Sequence, residues 1–377
     1  MPSIVRTPIT NIHLDGQYTA TIQVGPGKIP VAVLLDTGSS MLALDATKYA
    51  PDTAAGDRTT LLAQTGGYGD GSSWTGAVIT TRIALGGAAQ ATLPGASAAI
   101  AYQASANMFG AAGGILGLAY AEMDDAFAMP ADTWQSQYPS AEVVQGQRTP
   151  VIPYRTALAG QHALADIIAF SVRRSLTHQG AGGAADPLNQ GWMIVGGGTE
   201  CADLYAGPFQ NVKVMADEWW NTHLKAIVVG GHGPIHLSAR GVKGVPSNSL
   251  VDSGNTSLVL GPTLLTTFLG QFAPSQQAQL KASMAGGPVA MADLDLAAWP
   301  NLTFILEGEA GDVALTVAPG DYWQVNAPQA GQAKAAITTS VDGLTILGLP
   351  LMSGYFTIFD GEAAGGRGVI RFAKRTG

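Results

Sequence analysis

Two stretches of this chain follow almost the same pattern. Leu34–Leu44 reads LLDTGSSMLAL, and 216 positions later Leu250–Leu260 reads LVDSGNTSLVL. Each is an apolar run, an Asp, a hydroxyl residue, a Gly, two or three polar residues and a second apolar run. A carboxylate between two segments that read as buried strand is costly unless something compensates it. Two of them in matching frames predict that Asp36 and Asp252 compensate each other, so the fold must bring distant positions face to face. The duplication goes further. GGILGLAY, with Ile115-Leu116-Gly117, follows the first Asp by about 80 positions, and LTILGLPL, with Ile346-Leu347-Gly348, follows the second by about 95. A repeat of this length predicts two similar lobes and not a solenoid.

The rest of the chain reads as all-β. Runs such as YTATIQV, VAVLL, AVITTRIAL, WMIVGG, AIVVGG, LTFIL and FTIFD are rich in β-branched and aromatic residues and end in Gly-rich breaks. The 49 Gly and 21 Pro among 377 residues favour a turn-rich β protein. Helical patches are few. ADTWQSQYPSAEVV and RTALAGQHALADIIAFSV have partial helical periodicity, and GPTLLTTFLGQF predicts a short helix opened by Gly-Pro. A break near Tyr205–Pro208 would divide the chain into lobes 1–207 and 208–377.

Composition excludes several function classes. A net charge of −8 without a Lys/Arg stripe argues against nucleic acid as a partner. No apolar run approaches the ~20 residues that a membrane span needs. The N-terminal residues show no basic segment followed by an apolar one, so no signal peptide is expected. Cys201 is the single cysteine, which rules out an intramolecular disulfide and favours a reducing, cytoplasmic setting. No metal site stands out among the six scattered His, so neither metal nor other cofactor is expected.

Taken together, these motifs resemble the pepsin-like aspartic proteases. The resemblance rests on YTATIQVG, DTGSS, the flap-like GGYGDGSSWTG, GGILGLAY, FSV at Phe170–Val172, WMIVGGG, VMADEWWNTHLKAI, VDSGNTSLVLGP, AAWPNLTFIL and TILGLPLMSGYFTIFD. It covers nearly the whole chain. It implies a bilobal all-β endopeptidase whose cleft takes an extended peptide or unfolded protein, preferring apolar or aromatic residues at the cleaved bond. An acid optimum and sensitivity to statine-type inhibitors such as pepstatin go with it. Both halves of the site lie on one chain, so a monomer is expected. Family zymogens carry a basic pro-segment before the first strand. Either that segment and a leader were removed here, which would allow a periplasmic or secreted setting, or none exists, which with the absent disulfides points to a prokaryotic, intracellular homologue.

The chemistry is that of a shared-proton carboxylate dyad. Two adjacent carboxyls hold one proton between them; the ionised one takes a proton from water and the neutral one donates to the scissile carbonyl. The resemblance implies Asp252 as base and Asp36 as proton donor. It also implies that Thr37 and Ser253 lock the lobes together beneath the pair, with Gly38 and Gly254 allowing close backbone approach. Ser39 would hydrogen-bond the first carboxylate. Asn255 stands at the matching position of the second, where the family usually has Thr or Ser, and its amide could donate instead. Tyr68 would close over substrate, Gly69 and Asp70 would bond its backbone, and Ile115 would wall a pocket. Ala43 stands where the family often has a Trp that bonds the flap Tyr, and Trp74 or an ordered water is the expected replacement. Asp124 and Asp125 read as solvated. The rival reading is a pepsin-fold binding or inhibitor protein without activity, although such proteins typically lose an Asp, a flanking Gly or the flap Tyr.

Overall fold

In Leu302–Glu307, buried and half-buried positions alternate strictly, and Val5–Leu14 alternates over most of its length. Such period-two burial is what a pleated strand with one face on a core requires. The computed structural model describes residues 4–69, 71–86, 91–130, 143–162, 164–238, 241, 245–340 and 343–377. Strands predominate in it. Every apolar run named above lies in a strand, from Gln17–Val24 to Tyr355–Asp360.

The largest sheet has 15 strands and is shared by both ends of the chain. Its N-terminal part folds back on itself, because Ser73–Leu85 pairs with both Ala91–Ala104 and Gln17–Val24. Its other end takes in Tyr355–Asp360, Val369–Arg375 and Tyr205–Lys213. The last of these runs through the Tyr205–Pro208 region as one strand, with a register shift between Ala206 and Gln210. Smaller sheets of five, four and three strands occupy the second half.

The sequence repeat is also a repeat of topology. Ile29–Asp36 runs parallel to Gly114–Gly117, which pairs antiparallel with Leu42–Asp45, itself parallel to Ala91–Ala104. In the second half Ser249–Val251 runs parallel to Thr345–Leu347, which pairs antiparallel with Leu258–Leu260, itself parallel to Ile337–Thr339. Each later Ile-Leu-Gly strand therefore lies between the two apolar runs that flank an Asp. The polar turn between those runs has to leave the sheet, and the carboxylate goes with it.

Helices are short. Pro262–Leu269 forms as the Gly-Pro start predicts, and Pro274–Met284 follows it. The segment 155–172 is not one helix: it is helical over Tyr154–His162 and then becomes the strand Ile167–Ser171. That apolar stretch is drawn into the sheet by partners on both sides, Gln190–Val195 and Tyr355–Asp360. The helical reading of ADTWQSQYPSAEVV falls almost entirely outside the described residues. Among the described residues, no helix is long and apolar enough to cross a membrane.

Candidate active site

The two Asp turns meet where the halves of the chain join. Thr37 N–H donates to Ser253 Oγ at 3.0 Å, and Ser253 N–H donates to Thr37 Oγ1 at 2.8 Å. Each hydroxyl then reaches past the other turn: Thr37 donates to the Val251 carbonyl at 3.2 Å and Ser253 to that of Leu35 at 2.8 Å. Both residues are buried, so four otherwise orphaned polar groups are satisfied by a reciprocal lock. Gln17 adds a further link across the join, its Nε2 donating to the Gly254 carbonyl.

Above this lock the carboxyls of Asp36 and Asp252 lie side by side, close enough for each to act on the other's ionisation. The glycines are placed crosswise. A Cβ at Gly38 would sit 2.8 Å from Asp252 Cγ, and one at Gly254 would collide with Asp36 Oδ1. Any side chain at either position would push the carboxyls apart. With no side chain, the backbone N–H of Gly38 reaches Asp36 Oδ1 and that of Gly254 reaches Asp252 Oδ1, both at 2.8 Å.

The two carboxyls are not equally supported. Ser39 Oγ donates to Asp36 Oδ2 at 2.5 Å, adding a second donor to the Gly38 N–H. The equivalent Asn255 side chain is turned away, its Oδ1 accepting from Ser257 N–H at 3.0 Å. The expected amide donation to Asp252 is therefore not made among the described residues, because the side chain caps its own turn instead. Desolvation by the surrounding protein raises the proton affinity of both carboxyls. For Asp36, the bonds from Ser39, Gly38 and Asp252 oppose the rise. Asp252 is driven well above the usual carboxylate range, first by desolvation and then by the Asp36 charge. Both shifts disfavour ionisation of the two carboxyls at once, the condition for one proton to be held between them.

A hairpin overhangs the pair. Arg58–Gly67 and Ser73–Leu85 pair up to Gly67 opposite Ser73, and Tyr68 N–H closes the tip onto the Ser72 carbonyl at 2.9 Å. Nothing stands within 4 Å of where a Cβ would be at Gly67, Gly69 or Gly71, so the tip is open to solvent. Asp70 lies outside the described residues. Tyr68 turns inward: its hydroxyl accepts from Trp74 Nε1 at 3.3 Å and lies beside Ser39. Burial, and then the Asp36 charge, push its ionisation far above the normal range. A chain of side chains thus runs from Trp74 through Tyr68 and Ser39 to Asp36.

Trp74 reaches this position because Gly66 faces it across the hairpin; a Cβ there would occupy the indole ring. Ala43, with no exposed surface, belongs to the same apolar cluster as Trp74, Ile115, Phe109 and Leu34. The indole fills this cluster from the hairpin side, and the small Ala43 leaves room for it. Ile115 is buried there, with Tyr68, Met41 and Met108 at the margin.

Three features had little or no signal in the sequence. Gln17 looks like any polar strand residue, and only the crossing of the chain brings it to Gly254. Asp124 was expected to be solvated but is buried, 2% exposed, with Gln64 Nε2 donating to it at 2.5 Å. Arg155 is buried beneath the join, its guanidinium 5.1 Å from the rings of both Tyr120 and Trp220. Trp220 is fully buried, and nothing in the sequence around it announces this cationic neighbour.

No curated protein matches the chain. The family model described as eukaryotic aspartyl protease matches residues 17–373, from the strand before the first Asp to the last strand of the shared sheet. The chain belongs to the eukaryotic aspartyl protease family, the pepsin-like one.

Proposed function

We propose that this protein is an aspartic endopeptidase in which Asp36 acts as the base and Asp252 carries the proton. The observation that carries this reading is the unequal support of two carboxyls in mutual contact. Asp36 has Ser39 and Gly38 as donors, whereas the matching Asn255 does not serve Asp252. A water held between the carboxyls would lose a proton to Asp36 as it attacks the scissile carbonyl, while Asp252 donates to the carbonyl oxygen. The proton gained by Asp36 is then available to the leaving nitrogen. These roles reverse the assignment that the family resemblance implies, and the reversal follows from Asn255.

In this reading lobes 1–207 and 208–377 flank a cleft that takes an extended peptide. Tyr68 and Gly69, with Asp70, cover the substrate from the hairpin side. The apolar cluster with Ile115, Phe109 and Met108 beside Tyr68 supports a preference for apolar or aromatic residues next to the cleaved bond. The raised proton affinity of the pair supports activity on the acid side of neutrality. The test is cleavage of an unfolded protein across about pH 3 to 7 by the wild type, Asp36→Ala and Asp252→Ala. Each substitution should lower the rate by ~10³-fold or more. Wild-type rates in either variant would overturn the reading.

A further inference from the structure

The overhanging hairpin does not end its sheet. Its outer arm, Arg58–Gly67, is paired along its free edge by Asp125–Ala128, with Leu62 opposite Ala128 and Ala63 opposite Phe127. Arg148–Pro150 then pairs with Asp125–Ala128, making a two-stranded strap. Two further bonds fasten it: Met129 N–H donates to the Leu61 carbonyl and Val151 N–H to that of Asp124, both at 2.7 Å. Its inner residues Ala126 and Val151 are buried in the apolar cluster of Trp74 and Ile115, with Tyr68 at its margin. Among the described residues no equivalent strap covers a hairpin in the second half. The strap therefore bears directly on the arm that positions Tyr68.

One titratable group sits at the seam. Asp124 opens the strap, and Gln64, four residues before Tyr68, donates to Asp124 Oδ1 at 2.5 Å and to the Asp125 carbonyl at 3.4 Å. Both side chains are only 2% exposed. The hairpin arm offers Asp124 this amide and no charge. Among the described residues the strap offers only the like charge of Asp125, and the strap's cation, Arg148, is engaged with Asp125 at 3.0 Å. An ionised Asp124 would thus be a buried anion without a cation, a state relieved by admitting water to the seam.

We propose that Asp124 is a positioning residue for the hairpin: while its carboxyl is neutral the buried seam against Gln64 stays closed, and its ionisation, which leaves a buried anion that the Gln64 amide alone does not compensate, opens the seam to water. This deepens the endopeptidase reading and rests on it for its functional meaning. Burial lifts the Asp124 carboxyl to about 7, against the lowering effect of Gln64, so the clamp is closed in acid and released as pH rises through neutrality.

Hydrogen exchange of the arm amides Arg58–Gly67 in the full chain, corrected for the intrinsic pH dependence of exchange, tests this. An Asp36→Ala background prevents self-cleavage. Protection should fall by roughly tenfold or more between about pH 5.5 and 8.5, and Asp124→Asn should hold it level. Gln64→Leu, which removes a donor that favours the ionised carboxyl, should move the midpoint to higher pH. A level profile in the parent, or an unchanged fall in Asp124→Asn, overturns the clamp. Exchange needs no turnover, so a protein that cleaves nothing yet shows this response keeps the clamp and loses only the endopeptidase reading.

Discussion

The first Asp turn and the second are built to one plan but finished differently. Each Asp follows an apolar strand held between the same partners, each has a Gly against the opposite carboxyl, and each sends a hydroxyl across the join. The shared plan brings the carboxyls together. The differences decide what they do. Asp36 has Ser39, Tyr68 and a strapped hairpin above it, whereas Asp252 has an Asn255 that faces away. Symmetry creates the pair, and its departure from symmetry is the basis on which we propose where the proton sits.

Four predictions break or sharpen this comparison. The largest effect is expected from Gly38→Ala and Gly254→Ala, because each new methyl enters the opposite carboxyl. Overpacking of this kind costs about 1–3 kcal/mol, and cleavage should fall by ~10²-fold or more as the dyad is misplaced. Since the glycines are placed crosswise, the two variants should lose similar amounts in steady-state assays. A harmless Gly254→Ala beside a dead Gly38→Ala would break the symmetry.

Stability should depend on pH with a definite sign. A buried carboxyl whose folded proton affinity is raised contributes stability below its unfolded value, and that contribution is lost as pH rises towards the folded value. Asp252, Asp36 and Asp124 are all of this kind. Asp124, raised from 3.8 to about 7, makes the fold roughly 4 kcal/mol less stable once pH has passed the upper value. Asp186 and Glu307 act in the opposite sense: their carboxyls are lowered, chiefly by His178 and His223, so their contribution is lost as pH falls below the ordinary carboxylate range. Thermal melts should therefore peak in mild acid. Asp252→Asn should flatten the decline towards neutrality more than Asp36→Asn does.

A smaller effect is expected at the hairpin. Trp74→Phe keeps the bulk but removes the donor to Tyr68, so KM should rise about 3- to 10-fold, the value of one neutral hydrogen bond, with less change in kcat. Ala43→Trp adds a second indole to a filled cluster and should lower the melting temperature; adding Trp74→Ala should recover part of the loss. The smallest effect belongs to Asn255→Ser. A hydroxyl donating to Asp252 would favour its ionised form, so the pH–rate profile should move towards acid by about one unit or less.

Much of this was legible in the sequence because the repeat fixed it. Two Asp motifs, each tied to a later Ile-Leu-Gly, required the duplicated topology, and the paired hydroxyls and glycines came with it. Trp74 was legible as a substitute for the residue missing at Ala43. What could not be read depended on side-chain direction or on non-local pairing. Nothing in the letters says that Asn255 caps Ser257, or that Asp124 is buried beneath Gln64 while its neighbour Asp125 meets Arg148. The segment 155–172 misled for a similar reason, since its sheet partners lie far away in sequence.

The central claim is that the two carboxyls share one proton and that Asp252 holds it. Carbon-13 NMR titration of the aspartate carboxyls, assigned with Asp36→Asn and Asp252→Asn, measures this directly. The account predicts that Asp252 stays protonated well above the ordinary carboxylate range while Asp36 ionises first, and that Asp36→Asn brings the Asp252 titration down. Two independent titrations near the ordinary value, each unmoved by loss of the other residue, would contradict it.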